Sequence, residues 1–176
     1  MKKILLACTV SLLAVACNNE STESPKENDA AAAKEMKEER NKKIIMASME
    51  AMQKLDTDAM LKDIAPDVMD YGDGSMPPQK SADSVKKMVN VWIGAMESIK
   101  ADDLTMVADG DRVWVYAKFS GKFKSDMMGM PTTGKTYTIP DVDMFLLNEE
   151  GKIIEHRSVQ SGEVMMRQLG IEPPKQ

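Results

Sequence analysis

The apolar positions between residues 40 and 55 recur at the spacing of an α-helix. Ile45, Met49, Met52 and Leu55 follow a 4-3-3 pattern, which puts their side chains on one face. The pattern predicts a helix over Lys34 to Leu55, charged at its beginning and amphipathic later. Its apolar face is therefore expected to pack on the core.

Two further helices are predicted downstream. Asp56 can cap a short one that begins immediately after it, and Pro66 ends it because the residue before a proline avoids helical angles. Ser81 caps the next, which is predicted to run to about Ile99. Its apolar residues keep a 4-3-4-3 spacing: Val85, Val89, Trp92, Met96 and Ile99.

The remaining pattern is typical of strands. A short extended segment is predicted over 68–71, and longer strands over 105–108, 112–124, 135–147 and 152–160. We expect a bulge or bend at Gly121, a kinked or edge position at Pro140, and a terminal helical turn over Glu163 to Leu169. Helix-helix-strand-helix followed by an antiparallel meander predicts an α+β fold.

The amino terminus has the layout of a secretory signal. The basic MKK is followed by an apolar run over Ile4 to Ala16, which is shorter than the roughly 20 residues of a membrane span. The sequence LAVAC, ending at Cys17, resembles a bacterial lipobox. We therefore predict a signal peptide over 1–16, a lipidated Cys17 at the start of a flexible tether over 17–33, and one domain over 34–176. An ordinary signal peptide followed by a chance cysteine is the alternative.

This organisation predicts an exported protein held by lipid in the cell envelope, on the periplasmic or outer-membrane face. Cys8 would leave with the signal, so no intramolecular disulfide is expected. Without Lys2 and Lys3 the 23 basic residues fall to 21 against 28 acidic ones, which gives a formal charge of −7. Such an acidic chain argues against nucleic-acid binding, and the acyl chains must supply the membrane attachment.

Composition gives no indication of a cofactor. The 17 methionines include pairs at helical spacing, and thioethers bind Cu(I), but no Cys or His cluster accompanies them. Methionine is also a flexible apolar filler that suits adaptable pockets. The chain has no nucleophile elbow, phosphate-binding glycine loop, zinc spacing or dinucleotide fingerprint. No metal and no cofactor are predicted.

Asp141 and Asp143 are the first candidates for chemistry. They lie two apart on a predicted strand and share a face with aromatic and aliphatic residues. An apolar environment raises the pKa of a carboxyl group and makes it a useful proton donor or acceptor near neutral pH. The alternative is that this face of the strand is exposed to solvent.

His156, the only histidine, is the second candidate. If the hairpin turn is centred on Glu149 and Glu150, His156 stands directly opposite Asp143, at a distance where the pair could shuttle a proton or orient a ligand. A bulged turn at Gly151 would shift this register. The alternative is an ordinary surface or hydrogen-bonded histidine.

Several motifs resemble the nuclear transport factor 2-like superfamily, and in particular its SnoaL-like branch. They are LDTDAML at 55–61, APDV at 65–68, GMPTTGK at 129–135, DMF at 143–145 and GKIIEH at 151–156. The resemblance implies a cystatin-like, cone-shaped roll in which a strongly curved antiparallel sheet packs on three helices and encloses an apolar cavity. It also implies a homodimer through the outer sheet face and a general acid–base aspartate, for which Asp143 is the closer match. Arg157 departs from the pattern, since many members carry tryptophan there.

Three functions follow as hypotheses. The first is a lipid-anchored module whose cone binds a small apolar molecule or a protein partner. The second is a SnoaL-like cyclase, isomerase or hydrolase that uses Asp143, with Asp141 as the alternative, and His156 as an acid–base pair. The third is a structural envelope protein that dimerises through its sheet. Predicted pocket-lining residues are Tyr71, Trp92, Trp114, Tyr116, Met128, Met130 and Phe145.

Overall fold

Four helices and five strands form the part of the chain that this computed structural model describes, residues 25–127 and 129–172. The helices are α1 (Pro25–Gln53), α2 (Thr57–Met60), α3 (Ala82–Ala95) and α4 (Gly162–Leu169). The strands are β1 (Ile64–Asp70), β2 (Met96–Asp109), β3 (Arg112–Phe123), β4 (Thr136–Leu147) and β5 (Ile153–Gln160). The predicted α+β class is confirmed. The predicted signal peptide and Cys17 lie outside the described residues.

The five strands form one curved, unclosed sheet in the order β1-β5-β4-β3-β2. Strands β2 to β5 are antiparallel neighbours, as predicted for the meander. Strand β1 instead joins the edge parallel to β5, so the expectation of a wholly antiparallel sheet is wrong there. This parallel edge brings β1 beside the last strand of the hairpin.

Strict alternation on the central strands defines the inner face of the sheet. On β3 the side chains of Val113, Val115 and Ala117 are fully buried, while those between them are partly or fully exposed. Ile45 on α1 and Val89 on α3 are buried in the same core cluster. The helices therefore cover the concave side, and the outer face remains open in the described chain.

Two helix boundaries differ from the prediction. Helix α1 begins at Pro25, so part of the predicted tether is helical, because the alanine run at 30–33 has high helix propensity. Helix α3 has the predicted Ser81 cap but ends at Ala95, and Met96 already has extended backbone angles (φ −84°, ψ 137°). Met96 and Ile99 are buried from strand β2 rather than from the helix.

Two local predictions on the strands have different outcomes. Gly121 does not mark a bulge, because β3 and β4 pair in register throughout, and the irregularities lie in β2 at 96–98 and 102–105. Pro140 is unpaired on the β5 side of β4, as an edge position requires, because pairing of β4 with β5 begins at Asp141. Beyond that point Gln168 of α4 hydrogen-bonds the backbone of Thr138. Among the described helices, none is long and apolar enough to cross a membrane.

Candidate acid–base site in the cavity

A cavity of about 480 Å³ lies between the inner face of the sheet and the helices. Most of its lining is apolar, and eight methionines contribute: Met49, Met60, Met76, Met88, Met127, Met130, Met165 and Met166. Its exposed lining residues include Asp73, Ser75, Met76 and Pro77, so the mouth lies at the loop between β1 and α3. The volume suits a small, mostly apolar molecule.

Some of the predicted lining residues lie in the cavity wall and others on the outer face of the sheet. Those in the cavity wall are Tyr71, Trp92, Met130 and Phe145. Trp114 and Tyr116 lie on the outer face, because they alternate with the buried Val113 and Val115 along β3. Their assignment to the pocket is therefore corrected. Met128 lies outside the described residues.

Asp141 and Asp143 both point inward from β4 and line the cavity, each with 8% of its surface exposed. The alternative that this face meets solvent is excluded. Tyr137, Ile139 and Phe145 are buried on the same face. Two carboxyl groups thus stand side by side in a mostly apolar wall.

His156 contacts Asp143 by a different register from the predicted one. Its strand partner is Phe145, while Asp143 pairs with Ser158, because the pairing shifts next to the turn between Leu146 and Leu147. The imidazole stacks on the Phe145 ring with centroids 4.9 Å apart. It still reaches its diagonal neighbour, since Nε2 lies 3.1 Å from Asp143 Oδ1.

Asp70 contacts the other ring nitrogen of His156. Parallel pairing sets Asp70 of β1 beside His156 of β5, and Nδ1 lies 2.9 Å from Asp70 Oδ1. The same carboxylate oxygen accepts a hydrogen bond from the Gly72 backbone N–H at 2.8 Å. Asp70 is 7% exposed and lines the cavity. We call Asp70, His156 and Asp143 the carboxylate–imidazole chain.

The charges in this chain follow from its geometry. Burial disfavours the imidazolium, but the hydrogen bonds and negative charges of Asp143 and Asp70 outweigh it and raise the pKa of His156 to about 10. Burial likewise opposes ionisation of Asp70, and its bonds to His156 and Gly72 nevertheless hold its pKa below the usual value. His156 is therefore cationic at neutral pH and donates both ring N–H groups to carboxylates.

Asp141 is in a different state. Burial and the neighbouring charge of Asp143 raise the pKa of Asp141 to about 6, although hydrogen bonds, chiefly from Ser158, oppose the change. Ser158 Oγ lies 2.9 and 3.1 Å from the two carboxylate oxygens. Asp141 is thus a carboxyl group that exchanges a proton close to neutral pH.

Two of these residues were not among the predicted site residues. Asp70 gave no local signal, because its position depends on pairing between strands more than 80 residues apart. Ser158 was predictable in principle, since the correct hairpin register places it opposite Asp143. In the part of the chain that the structure describes, no group of His, Cys, Asp and Glu could hold a metal ion. Both nitrogens of the single imidazole are already engaged.

The family model for SnoaL-like polyketide cyclases matches residues 43–169, which include the whole sheet and every residue of this site. The chain belongs to the SnoaL-like polyketide cyclase family. A search of curated proteins gave no match.

Solved structures of family members and related proteins share its fold. A proposed polyketide cyclase from Xanthomonas campestris pv. campestris is 20% identical, with a TM-score of 0.69 over 76% of this chain and 98% of its own. One from Jannaschia sp. CCS1 is 19% identical, with a TM-score of 0.67 over 78% and 96%. AclR from Streptomyces galilaeus, a proposed hydroxylase, is 22% identical, with a TM-score of 0.64 over 76% and 97%. Relatives with one fold therefore carry names for different reactions, and the fold alone does not specify the chemistry.

Proposed function

We propose that this protein is an acid–base enzyme that moves a proton at an acidic carbon of a small, mostly apolar carbonyl compound. The observation that carries the proposal is the position of the Asp141 carboxyl, buried in a mostly apolar cavity beside Asp143, where burial and that charge raise its pKa to about 6. A base with a pKa near the working pH combines a useful ionised fraction with useful proton affinity.

Asp141 acts as the base because its neighbours Asp143 and His156 are already hydrogen-bonded to each other. Asp143 accepts a hydrogen bond from a cationic His156, whose other N–H is held by Asp70. An imidazolium with both N–H groups donated to carboxylates has no free nitrogen to take up a proton. His156 therefore holds a fixed positive charge beside Asp143, in contrast to the proton shuttle considered from the sequence. Asp141 exchanges the proton with the bound molecule.

The second candidate is a module that binds such a molecule without transforming it. The cavity supports this reading equally, because an apolar wall with a few polar groups is what ligand retention requires. The two candidates differ in one respect: an enzyme needs the carboxylate of Asp141, whereas a binding module tolerates an asparagine there.

Exchange of hydrogen for deuterium in the methyl group of 2-acetylnaphthalene, followed by NMR in D₂O, separates them. We expect the protein to accelerate exchange and Asp141→Asn to reduce it by about 100-fold, the usual lower range for a general base. Since the base must be ionised, the rate should rise from pH 5 to pH 7 and then level off, centred near the pKa of about 6. Asp67→Asn, an exposed aspartate on β1, is the matched control and should leave the rate unchanged.

Two results would speak against this role. If Asp141→Asn exchanged as fast as the unmodified protein, Asp141 would not be the base. If 2-acetylnaphthalene bound but exchanged no faster than in buffer, the binding-module alternative would be preferred.

We further propose that the domain works outside the cytoplasm, attached by lipid at Cys17. Support comes from the basic start, the short apolar run and the sequence LAVAC before the domain. An apolar ligand that partitions into lipid would be concentrated near a cavity held at the membrane surface. The proposed substrate class and the proposed location at the membrane are thus compatible.

A further inference from the structure

Tyr137 forms part of the cavity wall at a distance from the carboxylate–imidazole chain. It lies on the inner face of β4, four residues before Asp141, and only 6% of its surface is exposed. Its ring lies over its strand partner Gly121: a Cβ added to that glycine would stand 2.5 Å from the Tyr137 hydroxyl oxygen. The ring also stacks on Phe123, with centroids 5.8 Å apart. Tyr137 is therefore held in one position.

The hydroxyl of this tyrosine has no polar partner within residues 25–127 and 129–172. Burial, followed by the charge of Asp141, raises the pKa of Tyr137 to about 12, and no hydrogen bond contributes. The methyl group of Met96 lies against the same face of Gly121 as the hydroxyl. The side chain is otherwise buried, and its unpartnered hydroxyl belongs to the lining of a ligand-sized cavity, where a bound molecule can supply the acceptor.

We infer that the Tyr137 hydroxyl donates a hydrogen bond to an oxygen atom of the bound molecule, at the end opposite to the carbon from which Asp141 removes a proton. The phenol keeps its proton throughout the range in which the Asp141 carboxylate acts, so donor and base coexist. Residues four apart on a strand are separated by about 13 Å at Cα. The two groups therefore address different parts of one molecule rather than adjacent atoms.

This spacing selects a class of ligand. The molecule would carry an acidic carbon next to a carbonyl group at one end and an oxygen acceptor at the other, with an apolar body between them. A body of two fused rings is within the size that a cavity of about 480 Å³ accepts. The inference rests on the proposed function, in that it takes the cavity to receive an apolar carbonyl compound, and it adds the second recognition point.

A matched pair of ligands tests the second oxygen alone. 2-Acetyl-6-methoxynaphthalene and 2-acetyl-6-ethylnaphthalene have nearly the same shape, and only the first carries an acceptor opposite the acetyl group. We expect the protein to bind the methoxy compound about fivefold more tightly, as one neutral hydrogen bond allows. Tyr137→Phe keeps the ring over Gly121 and should remove this preference while leaving the affinity for the ethyl compound unchanged.

Tyr116→Phe, on the outer face of β3, is the matched control and should preserve the preference. Equal affinity of the unmodified protein for both compounds, or a preference that survives in Tyr137→Phe, would overturn the inference and leave the proton-transfer role of Asp141 intact. A preference that depends on Tyr137 in a protein that catalyses no exchange would uphold the inference and refute the proposed enzyme. If neither compound bound, the inference would be refuted, and exchange in 2-acetylnaphthalene would decide the proposed enzyme separately.

Discussion

The carboxylate–imidazole chain makes a prediction that a single NMR signal can test. His156 is the only histidine, so an untagged protein has one imidazole Hε1 resonance to follow against pH. With Asp143 and Asp70 at its two nitrogens, this ring should remain protonated far above the usual midpoint of 6.5, with a pKa of about 10. The perturbation is to remove one carboxylate charge at a time, by Asp70→Asn and by Asp143→Asn.

The size of the change follows from the contacts. One opposite charge at hydrogen-bonding distance raises a histidine pKa by about 1 to 3 pH units, and two of them here also overcome the effect of burial. We therefore expect each single substitution to lower the titration midpoint by about 2 pH units. The double substitution should bring it to the ordinary value or below, because burial then acts alone. Asp67→Asn should leave the midpoint where it was.

The same charges set the pH dependence of stability. The pKa of His156 is higher in the folded than in the unfolded chain, so its contribution is complete below about pH 6.5 and is lost as the pH rises through about 10. Urea unfolding should show the free energy of unfolding falling across this window, because only the folded chain keeps the ring protonated there. Asp141 titrates lower, near pH 6, and does not disturb this window.

One result would refute the reasoning. If the His156 resonance of the unmodified protein titrated at or below about pH 7, the imidazole would be neutral under working conditions. His156 would then have a free lone pair, and it would return as a candidate proton carrier. Asp141 would then share the role of candidate base with His156.

Two further substitutions test the packing at the cavity wall and the proposed address. Gly121→Ala should lower the free energy of unfolding in urea by about 1 to 3 kcal/mol, because its Cβ would overlap the Tyr137 ring and hydroxyl. Gly94→Ala on α3 is the control and should not destabilise the protein, since nothing lies within 4 Å of its Cβ position. Equal effects of the two substitutions would show that overlap with Tyr137 is not the cause. Cys17→Ser should abolish incorporation of labelled palmitate in cells, whereas Cys8→Ser should leave it unchanged; label retained in Cys17→Ser would exclude lipidation at that position.

The sequence predicted the elements of the fold well wherever local pattern decides them. The capped start of α3 at Ser81 is an example, since the cap is a contact within four residues of chain. The end of the same helix was predicted too late, because Met96 and Ile99 continue the apolar spacing after the backbone has become extended. A buried helix face and a buried strand face can share the same apolar residues over so short a stretch.

The site was predicted in part, and the missing part has a physical cause. The contact between Asp143 and His156 was predicted from a directly opposed register, and it exists as a diagonal contact because the strands shift beside the turn. Asp70 could not be placed, since parallel pairing of β1 with β5 is set by the whole fold. The outward position of Trp114 follows from alternation along β3, and the buried Val113 and Val115 identify the inner face.

Asp70, which was not among the predicted site residues, determines whether His156 has a free ring nitrogen. Burial and the neighbouring charge of Asp143 disfavour ionisation of Asp141 and raise its pKa to about 6. The ring of His156 is hydrogen-bonded to Asp143 and not to Asp141, and Asp141 is the carboxyl group whose pKa is raised. A histidine contacted by Asp143 alone would keep a second nitrogen free for proton transfer. With Asp70 on that nitrogen both ring nitrogens are engaged, which is why the proposed function assigns proton transfer to Asp141 and not to His156.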